Sequence, residues 1–362
     1  MAPALILSPP TSWYTSADHF AREMECVHRR SWILFGRADE LPKPGDYRAI
    51  DTVGGPVIVV RGEDGAIRAF ANTCRHRGSL LLSGSGNRRA IACPYHAWSY
   101  RLDGSLIGAP TMPPAGPGGE GFRKQDWGLH PVRCEQWGGF VFLNFDHDAD
   151  DLVSYLGDMA STLASHRPED MVTTWRIELD VRCNWKLLVE NAIEAYHTGT
   201  VHAKTVGAQK SVELNTTGNW VCIQVLSDTS IAVLGEAPAP FPTIAGLSDE
   251  AKRGTYFTML MPAIQLACAQ DCIWWLDVRP VAVDRSVLTV GGCFPRATAA
   301  LPDFPRHAAL YYDRWERVAR EDAGMLEVQQ VGLSSIAHTP GPLSPREVAL
   351  AQTYRWLEER LG

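Results

Sequence analysis

Apolar runs long enough to cross a bilayer are missing from this 362-residue chain, in which 45% of residues are hydrophobic and 21% charged. None approaches the roughly 20 residues that a membrane helix needs, so no membrane span is expected. Met1 to Pro10 carries no basic residue, and its apolar stretch is too short for a secretory signal, which predicts a cytoplasmic protein. Positive charge is not in excess either. Against 34 Lys and Arg stand 41 Asp and Glu, and the resulting net charge of -7 has the wrong sign for a nucleic-acid partner. Internal repeats are absent, and the one biased segment, Pro110 to Gly119, is rich in Pro and Gly and is expected as a loop. The 9 cysteines are an odd number in a chain large enough to fold without disulfides, so reduced thiols are expected. Cys268 and Cys272 read as small buried thiols in an apolar strand rather than as a metal pair.

A chain of this length fits two domains. Apolar positions spaced by three and four predict a helix over residues 13–30. From Trp32 to Phe145, β-rich runs such as Pro56 to Arg61 and Gly139 to Phe145 alternate with turn signals at Asp64-Gly65 and Asp103-Gly104, which predicts a small antiparallel β domain. Acidic, helical composition around 146–170 marks the boundary. Beyond it the pattern predicts a strand ending near Arg182, a helix from Trp185 to His197 and strands between Trp220 and Phe294. A long helix from Arg306 to Gln330 and a last one from Pro345 to Leu361 complete it. The expected division is 1–31 as an N-terminal helix on the second domain, 32–150 as the β domain, and 151–362 as the second domain.

Two ligand sets carry the chemistry. The first is Cys74-x-His76, then sixteen residues, then Cys93-x-x-His96. Thiolate and imidazole suit zinc and iron-sulfur alike, so ligand type leaves the metal open. Two short pairs on hairpin tips would let the thiols take one iron and the imidazoles the other iron of a [2Fe-2S] unit. Gly78 permits a tight loop, Pro94 stiffens the other, and Tyr95 and Trp98 are placed to shield the sulfurs. Cys-x-His-Arg-Gly with Cys-Pro-Tyr-His-x-Trp resembles the Rieske signature.

The second set lies in Glu190-Asn191-Ala192-Ile193-Glu194-Ala195-Tyr196-His197, closing with His202. On one continuous helix Glu190, Glu194 and His197 share a face, and Gly199 would swing His202 back toward it. Two imidazoles and one carboxylate on a ferrous ion leave positions open for dioxygen and substrate. Asp322 and Glu321 are both candidates for the distant carboxylate, and spacing does not rank them. Tyr196 and Asn191 are candidate supporting groups. Trp220, Phe257, Trp274 and Trp275 are candidate walls of a pocket that would hold a quaternary ammonium by cation-π attraction or stack on an aromatic ring.

With both motifs and the late acid in order, the chain resembles the oxygenase (alpha) subunit of Rieske non-haem iron oxygenases, in particular the glycine betaine demethylase and carnitine monooxygenase branch. The resemblance implies an α+β fold, a small antiparallel β Rieske domain followed by a helix-grip catalytic domain with an antiparallel sheet and flanking helices. It implies a [2Fe-2S] cluster on Cys74, His76, Cys93 and His96, and mononuclear Fe(II) on His197, His202 and Asp322. It also implies a catalytic Glu194 bridging the two centres across the subunit boundary of a homotrimer, where Asp is the commoner residue in ring-hydroxylating members. An NAD(P)H-dependent reductase or ferredoxin would supply electrons, and the acidic net charge suits a basic donor. Dioxygen and a small quaternary ammonium or aromatic compound would be the substrates, with hydroxylation or oxidative demethylation expected. Cis-dihydroxylation of an arene, or a Rieske-type electron carrier without oxygenase activity, are the competing outcomes.

Overall fold

The computed structural model describes residues 5–113, 121–235 and 238–362. Most of the expected Pro/Gly loop and the first residues of the N-terminal stretch lie outside them. The chain divides into two compact units, one of Phe35–Gln136 with Phe140–Ala149, the other of the residues up to Leu34 with Trp137–Gly139 and Asp150–Gly362. The fold class is α+β, as the resemblance implies.

The smaller unit is almost wholly antiparallel β. The paired strands Asp46–Thr52, Gly55–Arg61 and Ile67–Ala71 lie within a seven-stranded sheet, and a three-stranded sheet is built from Ile91–Ala92, Ser99–Tyr100 and Leu106–Gly108. Val57 to Val60 are buried without a break, as befits a strand covered on both faces. Cys74 and Cys93 belong to its core together with Ile58, Phe70, Ile91, Trp98 and Tyr100.

The larger unit is built on a seven-stranded antiparallel sheet in the order Met171–Val181, Arg285–Pro295, Ile273–Ala282, Ile264–Cys268, Gly254–Leu260, Trp220–Leu226 and Ser211–Glu213. The helix Phe304–Leu333 lays Ala308, Tyr311, Trp315 and Ala319 inward, at the three- and four-residue spacing of one helix face. Trp315 tilts against Trp175 and Phe294, stacks with Trp274, and seats on Gly292, where an added Cβ would stand 2.0 Å from its ring. On the next residue, Gly291, the clash would be with Trp275 at 2.1 Å. Successive strand positions point to opposite faces, so this glycine pair admits one indole on each side of the sheet.

The expected helix over 13–30 is interrupted. Ser12–Thr15 and Ala17–Cys26 are helical, and the Ser16 side chain caps the second by accepting from the His19 N–H at 3.2 Å. This segment is anchored by Glu23, fully buried, whose carboxylate takes Lys186 Nζ at 2.6 Å and the Trp185 indole N–H at 2.9 Å. Lys186 is itself buried, so each charge depends on the other. No helix among the described residues is long and apolar enough to cross a membrane.

Candidate metal centres

In the smaller unit Ile91 stands opposite Tyr100 and Ala92 opposite Ser99, so Cys93 to Trp98 form a hairpin tip. The Cys93 N–H donates to the Trp98 carbonyl at 2.7 Å, and Ala97 closes the turn with a φ of 57°. The first loop closes differently from the hairpin expected. Its flanking strands pair with other neighbours, and the turn is made by Cys74 N–H on Ser79 O at 2.8 Å and Gly78 N–H on Cys74 O at 2.9 Å. Gly78 has a φ of 74°, a conformation in which glycine is favoured.

The thiols of Cys74 and Cys93 face inward, while His76 is exposed and His96 half-buried, their rings 4.6 Å apart. Burial would raise the Cys93 thiol, yet the backbone N–H groups of His96 and Tyr95 hold it below the usual cysteine value. The Tyr100 hydroxyl lies 3.5 Å from Cys74 Sγ, a partner that the motif alone did not reveal. Among the described residues no three of these four side chains bring ligand atoms within 4.8 Å of one another, whereas one tetrahedral ion would gather all four. A cysteine pair inside and a histidine pair outside fit a two-iron cluster, with N–H donors already aimed at sulfur. Trp98 is buried and stacks on His76 at 5.1 Å, but Tyr95 is 59% exposed and lies on His96, so of the two expected shields Trp98 alone joins the core around the thiols. From Thr73 to Arg101 the chain has five arginines and no acid, so its local charge is opposite to the net charge.

In the larger unit the helix expected to reach His197 stops at Ala192. Asn184 starts it by accepting from the Lys186 N–H at 3.1 Å. At the other end Glu194 captures the N–H groups of Tyr196 and His197, and Gln265 Nε2 donates to the Ala192 carbonyl left unpaired. The break corrects the shared face expected for Glu190, Glu194 and His197. Glu190 turns instead toward the N-terminal segment, where the Tyr14 hydroxyl donates to it at 2.7 Å. Burial pushes the Glu190 carboxyl up to about 7, against the pull of Tyr14 and Lys186. The break at Ile193, not Gly199, brings His202 back, through the one-turn helix Thr198–Val201.

The two imidazoles then meet Asp322 on the long helix. Asp322 Oδ1 lies 3.5 Å from His197 Nε2 and 3.0 Å from His202 Nε2, and the three ligand atoms lie within 4.8 Å of one another. The opposite edge of each ring is taken. His197 Nδ1 contacts Glu194 Oε1, and His202 Nδ1 lies 2.7 Å from Glu321 Oε2, which also accepts from Thr205 Oγ1 at 2.8 Å. Carboxylates at Nδ1 place the ring proton there and leave each Nε2 lone pair facing Asp322. Asp322 Oδ1 is buried with no hydrogen-bond donor. Three Lewis bases facing inward without a proton between them fit a divalent cation. Burial pulls His202 down, but Asp322 and Glu321 outweigh it and hold the ring above the ordinary histidine value, a second sign that this point attracts positive charge.

Beside the trio is a cavity of about 80 Å³. Phe257, Trp274 and Asn191 line it; Trp220 and Trp275 do not. The Trp220 indole N–H is tied to Asp158 at 2.8 Å, and Trp275 packs on Gly291. Tyr196 is 56% exposed. Cys268 and Cys272 are fully buried, and burial pushes both thiols far up. Arg314, absent from the sequence reading, also lines the cavity, with its guanidinium 4.8 Å over the Trp274 ring. The signal for it was present, since positions four and eight residues before Asp322 fall on the same helical stripe.

Residues 168–362 match the family described as ring hydroxylating alpha subunit (catalytic domain), and residues 31–129 match the Rieske [2Fe-2S] domain. The carnitine monooxygenase oxygenase subunit of Acinetobacter pittii (strain PHEA-2) is 38% identical over 196 residues, 53% of this chain and 52% of that protein, so the chain matches about half the length of that relative. The glycine betaine monooxygenase oxygenase subunit of Pseudomonas aeruginosa (strain UCBPP-PA14) is 24% identical across 98% of this chain and 89% of its own. A solved quaternary ammonium Rieske monooxygenase superposes with a TM-score of 0.84 at 26% identity, covering 100% of this chain and 97% of that one. The match over more than half its length makes the chain a member of the ring-hydroxylating alpha-subunit family, with a Rieske [2Fe-2S] domain preceding the catalytic domain.

Proposed function

We propose that this chain is the oxygenase component of a Rieske-type oxygenase. In this reading dioxygen and electrons from an NAD(P)H-dependent reductase or ferredoxin serve to hydroxylate or oxidatively demethylate a small quaternary ammonium or aromatic compound. The reading is carried by one observation, the convergence of His197 Nε2, His202 Nε2 and Asp322 Oδ1 beside a cavity while both Nδ1 atoms are held by carboxylates. These three residues would hold mononuclear iron, and Cys74, His76, Cys93 and His96 would hold the cluster. When bound, the cluster supplies electrons one at a time and the ferrous ion supplies the site at which dioxygen is activated.

The chain's own groups do the rest. Glu194 and Glu321 keep protons on the outer nitrogens, so both imidazoles bind as neutral, oriented ligands. The cavity walls, apolar at Ile223, Val225, Phe257 and Leu276 and polar at Asn191, Gln265 and Arg314, would position the substrate. Glu194 is further assigned as the link to the cluster of a neighbouring protomer in a homotrimer, supported by the inter-subunit electron transfer described for the solved quaternary ammonium monooxygenase. The five arginines around the cluster loops suit a donor with an acidic docking face. The carnitine and glycine betaine relatives support a quaternary ammonium substrate, and a cytoplasmic setting suits reduced thiols.

The test is iron and labile-sulfide analysis followed by oxygen uptake with a reductase and NADH, comparing betaines with aromatic acids. Formaldehyde release marks demethylation. A diol product replaces the monooxygenase reading with cis-dihydroxylation, and a colourless zinc protein ends both.

A further inference from the structure

Arg314 is a buried cation with no ion-pair contact among the described residues; against the pull of burial, Cys272 and Asp322 act on its charge only from a distance. It is 4% exposed, lies in the wall of the cavity beside His197, His202 and Asp322, and has no carboxylate within 4.0 Å among the described residues. Its Nε is buried without an acceptor, and the next residue, Trp315, lines the same cavity with its indole N–H also unpaired. Burying a guanidinium costs several kcal/mol unless a charge and acceptors meet it, so a fold that keeps one here leaves room for its partner. The guanidinium fork offers parallel N–H groups that match a carboxylate, and its stacking on Trp274 holds that fork in place. The stacking also removes one aromatic face that a quaternary ammonium would otherwise use. Arg314 and Asp322 are eight residues apart on one helix, so their Cα atoms stand about 12 Å apart along its axis.

We propose that Arg314 is a substrate-binding residue that seats a carboxylate, with Trp315 as a second donor, and that the substrate is a small organic acid oxidised at the end remote from its carboxylate. This rests on the oxygenase reading of the same site and adds the charge of the substrate to it. A trimethylammonium carboxylate and an aromatic acid both satisfy the requirement. A quaternary ammonium alcohol or an uncharged arene does not.

The experiment measures binding without turnover, by calorimetry on the iron-loaded full chain under argon with no reductant. The probes are a panel of betaines, aliphatic acids and aromatic acids, each paired with its primary amide. At least one acid should bind about 100-fold more tightly than its amide, the scale of a desolvated charge pair. Arg314→Met should erase that preference, and Arg314→Lys should restore part of it. Whether the tightest acid carries a trimethylammonium or an aromatic body identifies the source of the carboxylate. If no acid outbinds its amide, or if Arg314→Met keeps the preference, the assignment is overturned; should Arg314→Met not fold, the wild-type comparison decides alone. The two readings fail separately. A binding contrast without oxygen uptake strikes the oxygenase function only, and oxygenation of neutral compounds without a contrast strikes this inference only.

Discussion

Replacing Glu321 and Asp322 in turn should have unequal effects although the two residues are adjacent. Asp322 Oδ1 faces both Nε2 atoms, whereas Glu321 lies behind His202 and fixes its proton from 2.7 Å. Loss of an outer carboxylate of that kind lowers metal affinity by roughly 10- to 100-fold, or about 1.4–2.7 kcal/mol. Glu321→Gln should fall in that range, because the amide still accepts from Nδ1 but no longer opposes the metal's charge. Thr205→Val, which frees Glu321 without removing it, should cost less. Asp322→Ala takes away the one anion that faces both rings and should exceed the Glu321 range. Ferrous affinity is read by competition with a chromogenic chelator under argon, and labile sulfide serves as the internal control because the cluster loops are untouched. Iron per chain should drop by the share of one ion in Asp322→Ala while sulfide stays constant. If Glu321→Gln empties the site and Asp322→Ala keeps iron, the two roles are reversed and the assignment of the third ligand is wrong.

Three other outcomes follow from the geometry. Tyr100→Phe removes the hydroxyl beside Cys74 Sγ, which favours the more negative reduced cluster, so the potential should fall by roughly 40 mV for about 1 kcal/mol of lost bond; voltammetry showing no shift or a rise refutes that role. Lys186→Met takes the buried lysine charge from the buried Glu23, leaving it the Trp185 indole N–H and His19, and should cost about 3 kcal/mol in denaturant unfolding, with Glu23→Gln added to it recovering most of the loss. Glu190 ionises near 7 in the folded chain and near 4.5 when unfolded, so the folded state holds the extra proton between these values and stability declines as pH rises through the window. Glu190→Gln should lack this contribution, so the stability difference between wild type and variant should itself decline from pH 4.5 to 7, and a variant whose melting profile over that range parallels the wild type counts against it.

Much of the fold could be read in advance because its signals are local. The long final helices show apolar positions at helical spacing, and the short strands are bounded by Asp-Gly turns. Within each half of the cluster motif the Cys and His are two or three residues apart, so a tight turn of almost any shape keeps each pair together. The helix ending at Ala192 could not be read that way. Ile193-Glu194-Ala195 contains neither Gly nor Pro, and the stop arises from a side chain competing for backbone N–H groups and a distant glutamine satisfying the last carbonyl. Choosing between Glu321 and Asp322 needs the rotation of one helix against the histidines, which no spacing contains. Arg314 shares a helical stripe with Asp322, but arginine on a charged helix ordinarily faces water, and it is the packing against Trp274 that shows this one does not.

The glycine pair behind the active cavity has its own consequence. Because Gly292 lets Trp315 lie flat on the strand, any side chain at that position would push the indole forward into the cavity that Trp315 lines. Selectivity for molecular size should therefore be open to retuning from the back of the wall, by a methyl group at a strand position that carries no chemistry, with His197, His202 and Asp322 left as they stand.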